Sequence, residues 1–280
     1  MSELSVQTLL STESVTLRDV VCGGECRHKS AEECSSATHL VFPYRGVYVR
    51  HQGNSEAVAE ANQVIFFNKA EDYRISHPVK GGDACLSLWI DEALLWEIAP
   101  KDQVRAGGAL GFHQSRLRVD PRAQALVALL RHSLMRKVAE PLEAETLTLT
   151  LIRRALGPRT SHAAGASAGR QKLVDRAKLV LSSDPSRRWT LSEIGSAVGV
   201  SPVYLTQAFQ QVEGIPLYRY QLRLRLARAL DLLGMYEDLT ALSLDLGFSS
   251  HSHFSAAFRQ AYGRSPAEFQ RAIRRPPASH

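Results

Sequence analysis

The strongest constraint on this chain is that its C-terminal part repeats itself. The stretches "LSEIGSAVGVS" and "LTALSLDLGFS" align at an offset of 48, pairing Leu191 with Leu239, Gly199 with Gly247 and Ser201 with Ser249. One extra residue in the second turn moves the offset to 49, so that Ala208 and Phe209 pair with Ala257 and Phe258, Gln211 with Gln260, Gly214 with Gly263 and Gln221 with Gln270. Such self-similarity predicts two copies of one supersecondary module.

Each module reads as two helices around a tight turn. Thr190 and Glu193 have the spacing of a capping box, which satisfies free amides at a helix start. Leu191, Ile194 and Val198 then make an apolar stripe, and Gly199 ends the helix where a left-handed conformation is easiest without a Cβ. A second helix is predicted near Pro202, with Leu205 and Phe209 inward. Helix, short glycine-containing turn and helix is the arrangement that projects one helix into a DNA major groove. Between the copies, "LYRYQLRLRLARALDLL" keeps Leu222, Leu226, Ala229, Leu230 and Leu233 on one side and Arg223, Arg225 and Arg228 elsewhere, as one continuous helix. Leu191, Ile194, Phe209, Leu226, Leu242, Phe248, Phe254 and Phe258 are the predicted core.

The pair His251-Ser252-His253 invites a metal reading, but residues two apart on a helix point about 200° away from each other and cannot grip one ion. His251 and Ser252 are instead predicted to face the groove, with His253 half turned to the protein.

Charge supports a polyanionic partner for this part alone. From Arg170 onward there are 15 Lys and Arg against 9 Asp and Glu, whereas residues 1–169 carry 19 of each, so the net charge of +6 resides in the repeat. "GPRTSHAAGASAG", Gly157 to Gly169, is small and polar and reads as a tether. The expected division is therefore 1–156, a linker over 157–169, and a DNA-binding domain over 170–280. No apolar run long enough to span a bilayer and no signal peptide are legible, which predicts a soluble, cytoplasmic protein without a membrane partner.

Upstream, "HLVFPYRGVYVRHQG", "NQVIFFNKAEDYRISHP" and "DACLSLWI" predict strands, and the segments after Asp91 predict helices, although the Thr-Leu alternation in "LEAETLTLTLIRRAL" would also suit a strand. A helix pair over 120–138 and 141–156 leaves two readings of Leu126, Leu129, Leu130 and Leu134: a homodimer seam, or packing on their own sheet. Cys22, Cys26 and Cys34, with His28 between them, offer three thiols and an imidazole to a soft metal or a redox signal, but not at the spacing of a structural zinc site, and free thiols are the default. No other cofactor is expected. Strand alternation places Tyr73, Ile75 and His77 on one face, which makes Tyr73 and His77 effector-binding candidates beside an ordinary structural role.

"GVSPVYLTQAFQQVEG", "RYQLRLRLARALDLL" and "GFSSHSHFSAAFRQAYGRSPAEFQ" resemble the double helix-turn-helix domain of the AraC/XylS family of bacterial transcription regulators. The resemblance runs from about Lys172 to Arg271 and rests on G-F-x-S-x-S-x-F-S-x-x-F-[RK]-x-x-x-G-x-[ST]-P at fixed spacing; Leu217 stands where the family often has Pro. It implies base-facing positions at Val203, Thr206 and Gln207 in the first reading helix and at His251, Ser252 and Ala256 in the second. Arg259, Gln210, Gln211, Arg223 and the helix starts at Thr190 and Ser249 are the implied phosphate contacts. "LVFPYRGVYVRH" with the strands after it resembles the cupin-like effector domain of many such regulators, and the chain lacks the H-x-H-x(3,4)-E cluster of a cupin enzyme.

The resulting expectation is an α+β chain: a cupin-like N-terminal β-barrel followed by helices, then an all-α domain with two helix-turn-helix units joined by a long helix. It is a regulator, not an enzyme. Double-stranded DNA is its partner, RNA polymerase follows if it activates, and a small-molecule or redox signal enters through the first domain. Rival readings are a thiol- or metal-responsive regulator using Cys22, Cys26 and Cys34, a cupin-type metalloenzyme with a basic accessory domain, and an architectural DNA binder without effector.

Overall fold

The computed structural model describes residues 4–24, 27–105, 110–157 and 167–274. These fall into two compact units, one before and one after the predicted tether. The first is built on antiparallel sheet and the second is entirely helical.

In the first unit, strands β1 (Leu4–Ser11), β2 (Val15–Cys22), β3 (Glu33–Cys34), β4 (His39–Gly46), β5 (Tyr48–Gln52), β6 (Ser55–Ala59), β7 (Gln63–Phe67), β8 (Asp72–Ser76) and β9 (Asp83–Ile90) come first. Helix α1 (Glu92–Ile98) and the short strands β10 (Val104–Arg105), β11 (Gly111–Phe112) and β12 (Arg116–Arg118) follow, then helices α2 (Pro121–Met135) and α3 (Pro141–Ala155). One sheet has the order β1-β2-β9-β4-β7-β12, a second β3-β8-β5-β6, and β10 pairs with β11.

The period-two geometry of a strand explains why β4, β7 and β9 are apolar nearly throughout: both their faces are covered. Leu40, Phe42, Val64, Phe66, Leu86 and Leu88 enter a core shared with Leu95 of α1, Val127 and Leu130 of α2, and Leu151 and Ile152 of α3. Their neighbours Val41, Ile65, Phe67 and Cys85 point the other way, into a smaller cluster with Tyr48 and Ala59 of the second sheet, and Tyr73 and Ile75 pack on that cluster.

One expectation changes here, and two alternatives narrow to one each. The N-terminal residues, which carried no predicted element, form β1 and β2, and β2 lies inside the large sheet beside β9. The Thr-Leu run is helical: Pro141 opens α3, the buried residues Ala144, Thr148, Leu151, Ile152 and Ala155 follow helical spacing, and Thr146, Thr148 and Thr150 donate their hydroxyls to carbonyls four residues back. Leu130 and Leu134 are buried in their own unit's core with Leu126 packed against it, which is the second of the two readings of that helix pair.

The second unit contains α4 (Ala168–Ser183), α5 (Leu191–Val198), α6 (Pro202–Glu213), α7 (Leu217–Leu232), α8 (Leu239–Asp245), α9 (His251–Tyr262) and α10 (Pro266–Arg274). Helix α4 begins inside the sequence read as a tether, with Ser167 accepting from the Arg170 amide as its cap. Leu173, Val174, Ala177 and Leu181 of α4 close the first core with Ile194 and Val198 of α5, Leu205 and Phe209 of α6, and Tyr220 and Leu224 of α7. The second module is centred on an aromatic chain in which Phe248 meets Phe254, Phe254 meets Phe258, and Phe258 meets Tyr262 and Phe269, with centroids 4.6–5.9 Å apart. Of the predicted core only Leu191 lies outside, 42% exposed, because it is the first residue of α5 and sits beyond the turn that packs. Among the described residues no helix is long and apolar enough to cross a membrane.

Candidate nucleic-acid interface

The two reading helices are positioned by their caps. At the start of α5 the Thr190 amide donates to Glu193 Oε2 at 2.8 Å and the Glu193 amide donates back to Thr190 Oγ1 at 3.2 Å, a complete capping box. The Thr190 amide, the Thr190 hydroxyl and Arg187 hold the Glu193 carboxyl down at about 2. Gly199 then turns the chain at φ 77°, and Ser201 caps α6 by accepting from the Tyr204 amide.

In the second module Gly247 repeats the turn at φ 77°, but the cap of α9 is Ser250, which accepts from the His253 amide at 3.1 Å. The extra residue of the second copy is therefore accommodated before the cap, and Ser249 precedes the helix instead of starting it. Pro216 stands at the cap position of α7 without a side-chain cap bond, whereas Ser265 and Glu268 form a reciprocal pair at the start of α10. The Leu217 departure thus changes how that turn is capped, not where the helix begins.

Helix α6 buries Leu205, Ala208, Phe209 and Val212 and exposes Val203, Thr206, Gln207, Gln210 and Gln211. Val203 is 68% exposed although apolar, so burial within the unit does not account for it. Helix α9 likewise buries Phe254, Ala257 and Phe258 and exposes His251, Ser252, Ala256 and Arg259. The two histidines diverge: His253 Nδ1 lies 3.1 Å from Ser249 Oγ with its ring edge-on to Phe248, whereas His251 Nε2 lies 3.3 Å from Ser255 Oγ. Tyr204, exposed beside Val203 and three residues before Gln207, joins this polar face and was passed over in the sequence; its helical offset from buried Leu205 is the signal that marks it.

The arginines of α7 separate into different roles. Arg225 donates Nε to the Pro185 carbonyl at 2.8 Å and Nη2 to that of Arg187 at 2.8 Å, with Nη1 3.4 Å from the Gly247 carbonyl, so it ties the loop between α4 and α5 to the second turn. Arg228 pairs with Asp231. Arg223 is half-buried near Tyr262, while Arg259 on α9 is exposed.

The other candidates lie in the first unit. Tyr73 does not point into an open site: its ring meets Phe67 edge-on at 4.7 Å and its hydroxyl donates to Glu33. His77 is buried, with Nε2 2.6 Å from Asp83 Oδ1. Among the described residues Cys22, His28 and Cys34 form no group of metal ligands. Cys34 is exposed on the small sheet, where a hydrogen bond with Asp72 raises its pKa and keeps it a thiol; His28 is exposed, and Cys26 lies outside the described residues. Among the described residues Cys22 is grouped instead with His77 and Asp83.

Residues 194–272 match the family model described as a helix-turn-helix domain. The chain is 30% identical over 172 residues to the probable transcriptional regulator LumQ of Photobacterium leiognathi, covering 58% of this chain and 65% of that one. It is 26% identical over 201 residues to a putative AraC-like transcription regulator of Streptomyces antibioticus, covering 68% of this chain and 62% of that one. Over its second unit the chain is similar to AraC-like transcription regulators. The likeness to the family model lies in the second unit, and the chain spans less than two thirds of the length of these curated relatives. A solved AraC-type DNA-binding regulator from Chromobacterium violaceum is 31% identical over 39% of this chain and 99% of its own, at a TM-score of 0.37.

Proposed function

We propose that this chain is an AraC/XylS-type, sequence-specific DNA-binding transcription regulator, an activator that contacts RNA polymerase when bound, acting in the cytoplasm and catalysing no reaction. The observation that carries the reading is the duplicated capped helix, α6 and α9, each presenting an exposed, unevenly polar face from one basic unit. The 16 residues of α7 span about 24 Å at 1.5 Å each, the scale on which two helices reach successive major grooves about 34 Å apart.

In this reading Val203, Thr206 and Gln207, with His251, Ser252 and Ala256, face base edges. Gln207 suits a bidentate contact to adenine and Val203 a thymine methyl. Gln210, Gln211, Arg223, Ser249 and Arg259 serve the phosphates. The first unit, residues 1–156, is the effector domain, its two sheets supporting the cupin-like reading, and 157–169 links it to residues 170–280. Since Leu130 and Leu134 are committed to the core, the exposed Met135 and Leu142 are the residues of that helix pair available to a homodimer.

Two substitutions test the register. Gln207→Ala is expected to cost about 1–3 kcal/mol at one base position and to relax preference there, whereas Arg259→Ala weakens binding to every sequence and lowers the salt slope by about one unit. Binding isotherms against a panel of operator variants at several salt concentrations separate the two. An unchanged sequence preference in Gln207→Ala would show that α6 enters the groove in another register.

A further inference from the structure

We propose that Cys22, His77 and Asp83 form a binding site for a divalent transition metal of the zinc class. The ligand atoms of these three residues lie within 4.8 Å of one another, and His77 and Asp83 are 8% and 5% exposed. Thiolate, imidazole and carboxylate is a donor set that suits zinc, and three protein ligands leave a fourth position for water or an exogenous ligand.

The site is assembled by sheet register. Cys22, the last residue of β2, stands directly opposite Asp83, the first residue of β9. On the far side Asp83 faces Gly46 of β4, which adds no side chain to that face. His77 follows β8 of the other sheet and reaches across to Asp83. Gly24 closes over the group so tightly that a Cβ there would stand 3.0 Å from both Cys22 Sγ and His77 Nδ1. Behind the carboxylate, the buried Cys85 donates its thiol to Asp83 Oδ2 at 3.3 Å. Cys85 is a positioning residue: it lies opposite Val20, diagonal to Cys22, and diagonal neighbours sit about 7–8 Å apart, too far for the roughly 4 Å between Cβ atoms of a disulfide.

Charge supplies the second argument. Among the described residues the side-chain partners of buried Asp83 are His77 and Cys85, with no Lys or Arg at hydrogen-bond distance. Buried charged groups are paired or coordinate metals. A divalent ion held by Cys22, His77 and Asp83 would meet that need and link the two sheets, with its ligands giving up their protons as metal binding requires.

The site stands or falls separately from DNA binding, and its test measures metal alone on the full chain. After chelator stripping, Co²⁺ is expected to give a thiolate-to-cobalt charge-transfer band that saturates at one ion per chain and is displaced by Zn²⁺. Zn²⁺ should also raise Tm and protect Cys22, but not Cys34, from thiol labelling mapped by mass spectrometry. Cys22→Ser should abolish the band, His77→Gln and Asp83→Asn should lose Zn²⁺ in competition with a chelator, and Cys34→Ser should change nothing. Cys85→Ala should keep the band while weakening Zn²⁺ by about 10–100-fold, the usual effect of losing a partner of a ligand. Absence of a cobalt band in the wild-type chain together with no zinc protection of Cys22 overturns the proposal, even if every variant misfolds. A band that persists in Cys22→Ser and disappears in Cys34→Ser overturns it equally.

Discussion

Glu213→Ala is expected to destabilise the helical unit by roughly 3–5 kcal/mol, the cost of stranding one member of a buried ion pair. The stranded charge is Lys178, which is fully buried on α4 with Nζ 2.5 Å from Glu213 Oε1 at the end of α6 and 3.9 Å from Asp175. The same ammonium lies 5.4 Å from the centroid of Tyr220, so α4, α6 and α7 meet at this point. Replacing both charges at once, as Lys178→Met with Glu213→Leu, removes the desolvation penalty along with the attraction and should cost far less than either single change. Urea denaturation of Lys178→Met, Glu213→Leu and the double variant gives the coupling directly. A loss below about 1 kcal/mol in Glu213→Ala would mean that water or Asp175 already solvates the lysine, and that the pair does not fix α6. Because α6 carries Val203, Thr206 and Gln207, the single variants should also lose DNA affinity, and the double variant should recover it.

The features legible in the sequence are those whose causes are local. Thr190 and Glu193 announce a helix start because both halves of the capping box lie within one turn, and Gly199 and Gly247 mark turns that need a positive φ. What failed had remote causes. Arg225 looks like any surface charge in "LYRYQLRLRLARALDLL", yet its acceptors are carbonyls about 40 residues earlier in the chain. The helix at α3 is legible, and only its alternation leaves a strand open, because nothing nearby says that Leu151 and Ile152 will meet a sheet built from residues far upstream. Strand β2 pairs locally with β1, but the partner that sets it inside the large sheet, β9, begins some 60 residues later. The grouping of Cys22 with His77 and Asp83 follows from that same pairing, so a search for closely spaced ligands chose Cys26 and Cys34 instead. Ser249 was misread as a helix start by a single inserted residue, which the repeat located only to within the turn.

Gly247→Ala and Gly199→Ala should differ sharply although the two glycines hold the same place in the repeat and the same φ of 77°. An alanine held in the left-handed region costs about 1–2 kcal/mol wherever it occurs. At Gly199 that is the whole expected loss, because no atom lies within 4 Å of the Cβ position. At Gly247 the Cβ would fall 1.9 Å from the Ser186 carbonyl oxygen and 2.9 Å from its carbon, a clash with backbone that no rotamer can relieve. Nor can the loop carrying Ser186 step aside cheaply. Arg225 grips it at Pro185 and Arg187, Gln221 donates to the Arg187 carbonyl at 2.6 Å, and Asp184 accepts from the Ser186 and Arg187 amides at 3.1 Å each. Moving it would sever bonds to a half-buried guanidinium, each worth about 1.5–3 kcal/mol, so the loss at Gly247 should exceed that at Gly199 by roughly 3 kcal/mol. Thermal unfolding of both variants measures the difference. DNA binding extends the argument, since the Ser186 loop and the second turn are where the two modules are joined: Gly199→Ala should retain two-groove binding, while Gly247→Ala should protect only the half of the operator read by α6. Equal losses in the two variants would mean that the second module does not rest on this loop, and that α7 alone sets the spacing of the reading helices.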